Sequence, residues 1–433
     1  MRDIIITLLV LGTLPFILRN AYIGVLVWSW LSYMNPHRLA WGFAYSMPFA
    51  QIVAITLFAS LLFSKDKKQI PMNGTVFIWI LFILWMLVTT LSGFFPDAAM
   101  TMYTKIFKIQ IVTFLTLMLI TDQKRLDQLL WVIVGSIGFF SIKGGIFTLM
   151  TGGGFRVYGP PTSYISENNA LAVATLMIIP LMLYLHRIST QKWLRYGLIF
   201  GAIMSLVSVV GSQSRGGLLA ILAVAVFFWL KTKTKVASGI AIILLGTLGF
   251  AFMPDSWHER MDTIQNYQED ESAMARINSW QYSINVASDR LTGAGLASWS
   301  SETFAIYAPD PNIVFAAHSI YFSILADHGW PGLVMFLLIL WLTWRNLSKV
   351  IQRTQKEPSS AQNFLARMLQ VSLIAYMSGG AFLSIAYFDL PWHLVAIVVL
   401  LNSPSFVKGE QENAAERDPD NHRIPVKLKG NNG

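Results

Sequence analysis

His318 stands where a long polar stretch, Met253 to about Pro331, runs back into apolar sequence through Ala316-Ala317-His318-Ser319-Ile320-Tyr321-Phe322. An imidazole has an ordinary pKa of about 6.5, so near neutrality it can take a proton from a hydroxyl. An ionisable ring at the point where a polar loop re-enters a bilayer is expensive to bury, which makes it a catalytic candidate. A hydrogen-bonded structural histidine at a helix mouth is the plainer alternative. Three arginines have the type and place to receive phosphate. Arg156 lies in Gly152-Gly153-Gly154-Phe155-Arg156-Val157-Tyr158-Gly159-Pro160-Pro161, Arg215 in Ser212-Gln213-Ser214-Arg215-Gly216-Gly217, and Arg276 within the polar stretch itself. Their planar fork of donors matches phosphate bidentately and keeps its charge. Two or three converging would hold a pyrophosphate without a metal. Each alone could instead snorkel to lipid headgroups or pair with a nearby acid.

Lys143, late in an apolar run at Ser141-Ile142-Lys143-Gly144-Gly145, could reach a lipid phosphate, and Tyr158 and Tyr321 complete the expected substrate-binding set. The acids Glu167, Glu269, Asp270, Glu271, Asp289, Asp327 and Asp389 form no pair at ligand spacing, so they read as solvated loop carboxylates and no metal site is expected. Glu167 and Asp389 are the reserve candidates for a base. The aromatic residues read mostly as interface belt and packing.

The elements that must position these groups are helices in lipid. The chain has 433 residues, of which 54% are hydrophobic and only 13% charged, against about 25% charged in a soluble domain. Apolar runs follow one another from residue 3 to residue 405, several near the roughly 20 residues that a spanning helix needs. They are continuous rather than alternating, which excludes a barrel. An all-α polytopic membrane protein of about 12 spans is expected, its first two short runs forming a shallow hairpin. The absence of cysteine excludes disulfides and thiol catalysis. The Ile4–Leu18 run lacks a small-residue cleavage site, so no cleaved signal peptide is expected. The net charge of +9 is spread over loops rather than gathered on a soluble face, so nucleic acid is not an expected partner.

Loop charge sets the orientation. Lys65, Lys67 and Lys68; Lys124 and Arg125; Arg187, Lys192 and Arg195; Lys231, Lys233 and Lys235; and Arg345, Lys349, Arg353, Lys356 and Arg367 occupy loops two spans apart. They share one side, which the positive-inside bias makes cytoplasmic. The loops near 95–104, 151–168, 212–215, 254–317 and 386–389 then lie on the other side, and Arg156, Arg215 and Arg276 stand there against the bias. The longest, 254–317, opens with Pro254-Asp255-Ser256-Trp257-His258-Glu259-Arg260 and carries an amphipathic helix. Met274, Ile277, Trp280 and Ile284 form its apolar stripe, with Arg276, Asn278 and Gln281 off it. Gly329, with Trp330-Pro331-Gly332, is expected to break the helix that His318 opens. Residues 1–402 read as one integral membrane domain, and 403–433 as a disordered cytoplasmic tail.

The residues now carry a resemblance. Arg215-Gly216-Gly217-Leu218-Leu219 resembles the R-x-x-x-L motif of bacterial O-antigen ligases, and His318 to Gly329 resembles their H-x(10)-G motif. Met34-Asn-Pro-His-Arg-Leu-Ala-Trp-Gly-Phe43, Phe155-Arg-Val-Tyr-Gly-Pro-Pro161 and Ala308-Pro-Asp-Pro311 are similar to the branch associated with exosortase A, the O-glycosylation ligases. The resemblance covers nearly all the chain except the tail. It implies a GT-C-like glycosyltransferase of the O-antigen ligase and polymerase superfamily. The donor would be an undecaprenyl-pyrophosphate-linked glycan, and the acceptor the lipid A–core of lipopolysaccharide. The essential histidine falls on His318, the loop and helix arginines on Arg215 and Arg276, and an arginine of the smaller loop on Arg156. It further implies a monomeric, inverting, metal-independent enzyme of the bacterial inner membrane, without a cofactor and with its active site facing the periplasm. A polymerase, or a ligase that glycosylates protein, would share donor and motifs. A lipid-linked glycan transporter would need paired halves or an energy-coupling motif, and neither is present.

Overall fold

A computed structural model describes residues 1–63, 69–232, 234–255, 257–258, 271–355, 357 and 360–409. Several sequence expectations fall outside these residues: the lysines at 65, 67, 68 and 233, Lys356, Glu259 and Arg260, the Glu269-Asp270 part of the acidic patch, and the tail from 410 onward.

The described residues are helical, with no strand among them. In chain order the helices are α1 (Arg2–Arg19), α2 (Ala21–Met34), α3 (Phe49–Phe63), α4 (Gly74–Leu91), α5 (Pro96–Leu119), α6 (Gln123–Met150), α7 (Asn168–Ile188), α8 (Lys192–Gly211), α9 (Arg215–Lys231), α10 (Lys235–Phe252), α11 (Glu271–Asp289), α12 (Ser301–Tyr307), α13 (Ile320–Arg353), α14 (Ala361–Gly380) and α15 (Asp389–Leu401). Seven are long and apolar enough to cross a membrane (α4 to α8, α10 and α13), while α2, α3 and α15 are apolar but shorter. An expected count near twelve therefore requires the short or more polar helices to cross as well. The first two runs form a helical hairpin turning at Asn20. The Asp3 carboxylate accepts from the Gly42 and Ala44 amides at 3.0 and 3.1 Å, which ties the start of α1 to the segment after α2.

One core unites α4, α6, α7 and α13 to α15, and a second joins α1 to α3 with α5. Small residues allow the tightest crossings: Gly145 of α6 lies against the Met204 carbonyl of α8, and Gly211 of α8 against Thr148. Helix α10 buries none of its residues. Residues 404–409 are helical and Phe406 is buried, so the packed domain runs past 402.

A third cluster (Tyr282, Val286, Ala294, Phe304 and Ala326) holds the long loop to the bundle. Its hinge is Gly329, whose φ of +65° interrupts α13. A break orphans the carbonyls of the preceding turn, and Pro331 has no N–H to offer Asp327. The loop supplies two of the missing donors and Trp85 of α4 the third. The Ala326 carbonyl accepts from Ala294 N at 2.7 Å, Asp327 from Gly295 N at 3.2 Å, and His328 from Trp85 Nε1 at 2.8 Å. A Cβ at Gly329 would collide with the Leu291 carbonyl, so glycine is required by sterics as well as by φ.

Candidate active site

The stretch 308–317 is pinned by three consecutive residues of α11. Asn278 Nδ2 donates to the carbonyls of Asp310 and Ile313 at 2.9 and 3.0 Å, and its Oδ1 accepts from Asp310 N at 2.8 Å. Ser279 Oγ donates to the Phe315 carbonyl at 2.7 Å, and Trp280 Nε1 to that of Ala317 at 2.8 Å. The buried face of α11 is thus Ala275, Asn278, Ser279, Tyr282, Ser283 and Val286. The apolar stripe lies on another face: Met274 and Ile277 are exposed, and Trp280 and Ile284 are half-buried. The helix packs on a polar loop, so its small hydrogen-bonding residues face inward.

These anchors deliver His318. Its φ of +43° is left-handed, sparsely populated for a non-glycine residue and worth about 1–3 kcal/mol of local strain. The Phe315 ring lies 4.8 Å from the imidazole, and Ser319 holds the N-cap position of the helix that follows without a side-chain cap bond. Burial first, and then the Arg276 cation, hold the His318 pKa below its ordinary value, while Glu167 pulls it upward. The imidazole therefore sits between a guanidinium and a carboxylate and is neutral near pH 7, as a proton acceptor must be.

Arg215 opens α9 beside them. Ser214 caps that helix by accepting from Gly217 N at 2.9 Å, and Gly217 and Gly216 let it pack against Ala172 of α7 and Phe382. Asn168 Nδ2 donates to the Ser212 carbonyl at 2.7 Å, so the turn before Arg215 rests on the start of α7, next to Glu167. Gln213 Nε2 donates to the Gly153 carbonyl at 3.0 Å, which draws in the glycine-rich loop of Arg156. Gly380 of α14 meets Ile320 of α13, so the starts of α7, α9 and α13 share one rim. Helix N-termini carry partial positive charge, and together with Arg215 and Arg276 they make a rim suited to an anion.

The remaining expected residues are less engaged. Arg156 and Tyr158 are exposed on the rim loop. Tyr321 donates its hydroxyl to the Met377 carbonyl at 2.9 Å, so it braces α13 on α14 rather than offering its O–H to substrate. Lys143 is exposed on the side of α6 turned away from Ser141, Gly144 and Gly145, which are buried. No contact among the described residues links it to His318.

The acids are not uniformly solvated. Asp327 and Asp389 are each 2% exposed. The Tyr387 hydroxyl lies 2.7 Å from Asp327 Oδ2 and 2.9 Å from His328 Nε2, and Thr89 Oγ1 sits 2.7 Å from His328 Nδ1. Ser32 donates to Asp389. An acid inside an apolar run was itself the available signal. For Glu167 the signal was its place just before Asn168, where α7 begins.

Long apolar helices, with an imidazole of lowered pKa at the rim where several helices begin, describe a multi-pass membrane protein. Residues 200–337 match a family model described as O-antigen ligase, a span that contains Arg215, Arg276 and His318. That match, confined to residues 200–337, supports a relation to the O-antigen ligase and polymerase superfamily. Residues 1–190 match a family of unknown function, DUF5935. No curated protein matches the chain.

Proposed function

We propose that the protein transfers glycan from undecaprenyl-pyrophosphate to the lipid A–core of lipopolysaccharide, on the periplasmic face of the bacterial inner membrane. His318 takes the proton of an acceptor hydroxyl as its oxygen attacks the anomeric carbon. The bond from that carbon to the donor phosphate breaks as the glycosidic bond forms, and polyprenyl pyrophosphate leaves with the electron pair. Arg276 and Arg215, with Arg156 from the rim loop, and the helix N-termini neutralise the charge that develops on the leaving group. One displacement inverts the anomeric centre. The fixed cations carry the pyrophosphate in this reading, which assigns no step to a metal or cofactor.

One observation carries the reading. Within the O-antigen ligase match, a histidine whose pKa burial and Arg276 lower stands at a rim of helix N-termini and arginines suited to an anion. The test is transfer by purified protein given lipid-linked glycan with either lipid A–core or a protein acceptor. Product on lipid A–core supports the ligase. Product on protein, or chain elongation alone, moves the assignment to the exosortase-associated protein ligases or to a polymerase. No transfer to any acceptor defeats it.

A further inference from the structure

A groove of about 660 Å³ runs between α2, α3 and α5, within the part of the chain matched to the family of unknown function. Its walls are mostly apolar, with Trp28, Ile55, Phe58 and Val112 among them, yet Arg38, Lys105 and Lys108 also line it. Lys105 and Lys108 are three apart on α5, so they share one face of a helix apolar enough to span a membrane. Both are exposed to the groove, and neither makes an ion pair with a described residue. Arg38 is held above the Tyr45 ring at 4.5 Å, which fixes its guanidinium at the groove mouth. Cations within a membrane-spanning helix are costly unless something anionic meets them. Apolar walls beneath three cations match an amphiphile with a phosphate at its head.

The groove continues into a second cavity of about 300 Å³, sharing Trp28 and Arg38 and adding Asn35, His37, Tyr164 and Asp389. Burial and the neighbouring Arg38 hold the His37 pKa below its ordinary value, so this wall stays neutral and polar. One rim loop separates this cavity from the catalytic histidine. It is closed by Gly159 N donating to the Ser166 carbonyl at 3.0 Å, and it presents Thr162 to Tyr164 to the cavity. Glu167, the next residue, acts on His318. Asn35 Nδ2 holds the loop by donating to the Pro161 carbonyl at 2.8 Å.

We infer that the α2–α3–α5 groove seats the acceptor as a phosphorylated lipid. Its phosphate lies among Arg38, Lys105 and Lys108, its acyl chains against Trp28, Ile55 and Phe58, and its sugar extends past Tyr164 toward His318. The donor's pyrophosphate already has its own cations on the other side of the loop, so the second anionic seat falls to the other substrate. A lipid seat also favours a lipid acceptor over a protein one. That the occupant is an acceptor rests on the reaction proposed above; that a phosphorylated lipid binds here does not.

Binding tests this without turnover. The full chain in phosphatidylcholine nanodiscs is titrated with diphosphorylated lipid A and, separately, with undecaprenyl pyrophosphate, using parent and Lys105→Gln/Lys108→Gln protein. Loss of two cations should weaken lipid A binding roughly tenfold or more and leave the polyprenyl lipid unaffected. Lys105→Arg/Lys108→Arg, which keeps the charge, should bind lipid A like the parent and shows that the groove tolerates substitution. Unchanged lipid A binding in the glutamine variant overturns the assignment. So does an equal loss for both lipids, which would mean general attraction to anions. Intact transfer with unaltered lipid A binding would sink this inference alone, whereas normal lipid A binding to a protein that transfers nothing would sink only the reaction.

Discussion

At the scale of single residues, the site rests on a neutral imidazole. His318→Ala should fold and bind donor but lose transfer by roughly 10²–10⁴-fold, the usual contribution of a positioned proton acceptor. Because the folded pKa is lowered, the acid limb of kcat/KM should lie below about 6.5. The rate falls as pH drops through that folded value. Stability runs in the same direction: below the unfolded pKa the unfolded chain takes the proton first, so acid weakens the fold. Glu167→Gln removes the one upward influence and should move the limb further toward acid. An unmoved limb would separate Glu167 from His318. Arg276→Lys and Arg215→Lys keep charge but lose the fork, so donor affinity measured by titration should drop in both; parent-like binding would relocate the pyrophosphate. His318 and Arg276 were singled out as candidates by type and position, and the fold brings Arg276 close enough to act on the imidazole. Glu167 was named only as a reserve base; its action on His318 was not legible, since nothing local says that a loop acid acts on a ring some 150 positions later.

At the scale of elements, the interrupted helix makes the site possible. The expected break at Gly329 is present, and its carbonyls are satisfied by the long loop and by Trp85 of α4. Gly329→Ala forces a left-handed φ and a clash on Leu291, so we expect a loss of at least about 1–3 kcal/mol, read as a lower melting temperature with detachment of 293–295 in hydrogen exchange. Parent-like melting would mean that the break is incidental. Which face of α11 meets the protein was not legible in its stripe, for a physical reason. Helical periodicity identifies an amphipathic helix, but which side faces protein depends on the partner, and here the partner is a polar loop held by Asn278, Ser279 and Trp280.

At the scale of the whole molecule, composition was enough for a multi-pass helical bundle, because lipid as solvent leaves its mark on every run. The depth and partners of each run were not legible: the short α2, α3 and α15 resemble the long spans in sequence, and α15 is buried almost throughout. Orientation is open to measurement in a chain free of cysteine. Cysteine at Ser301 should react with an impermeant reagent from the periplasm, and cysteine at Thr234 should not. Ser301 is preferred over Ser300, which caps α12. Reversed labelling would turn the whole scheme over.

Helix α10 touches no core, yet it leads directly into the loop that carries Arg276 and His318. On the proposed topology its role is one of parity. Any apolar segment of the same length should serve, so replacing Val236–Phe252 with an unrelated leucine-rich span should leave transfer intact. Deleting it would cost the buried Trp257 its contact with Phe250 and, on the proposed topology, would place arginine and histidine on the wrong side of the membrane from their substrate.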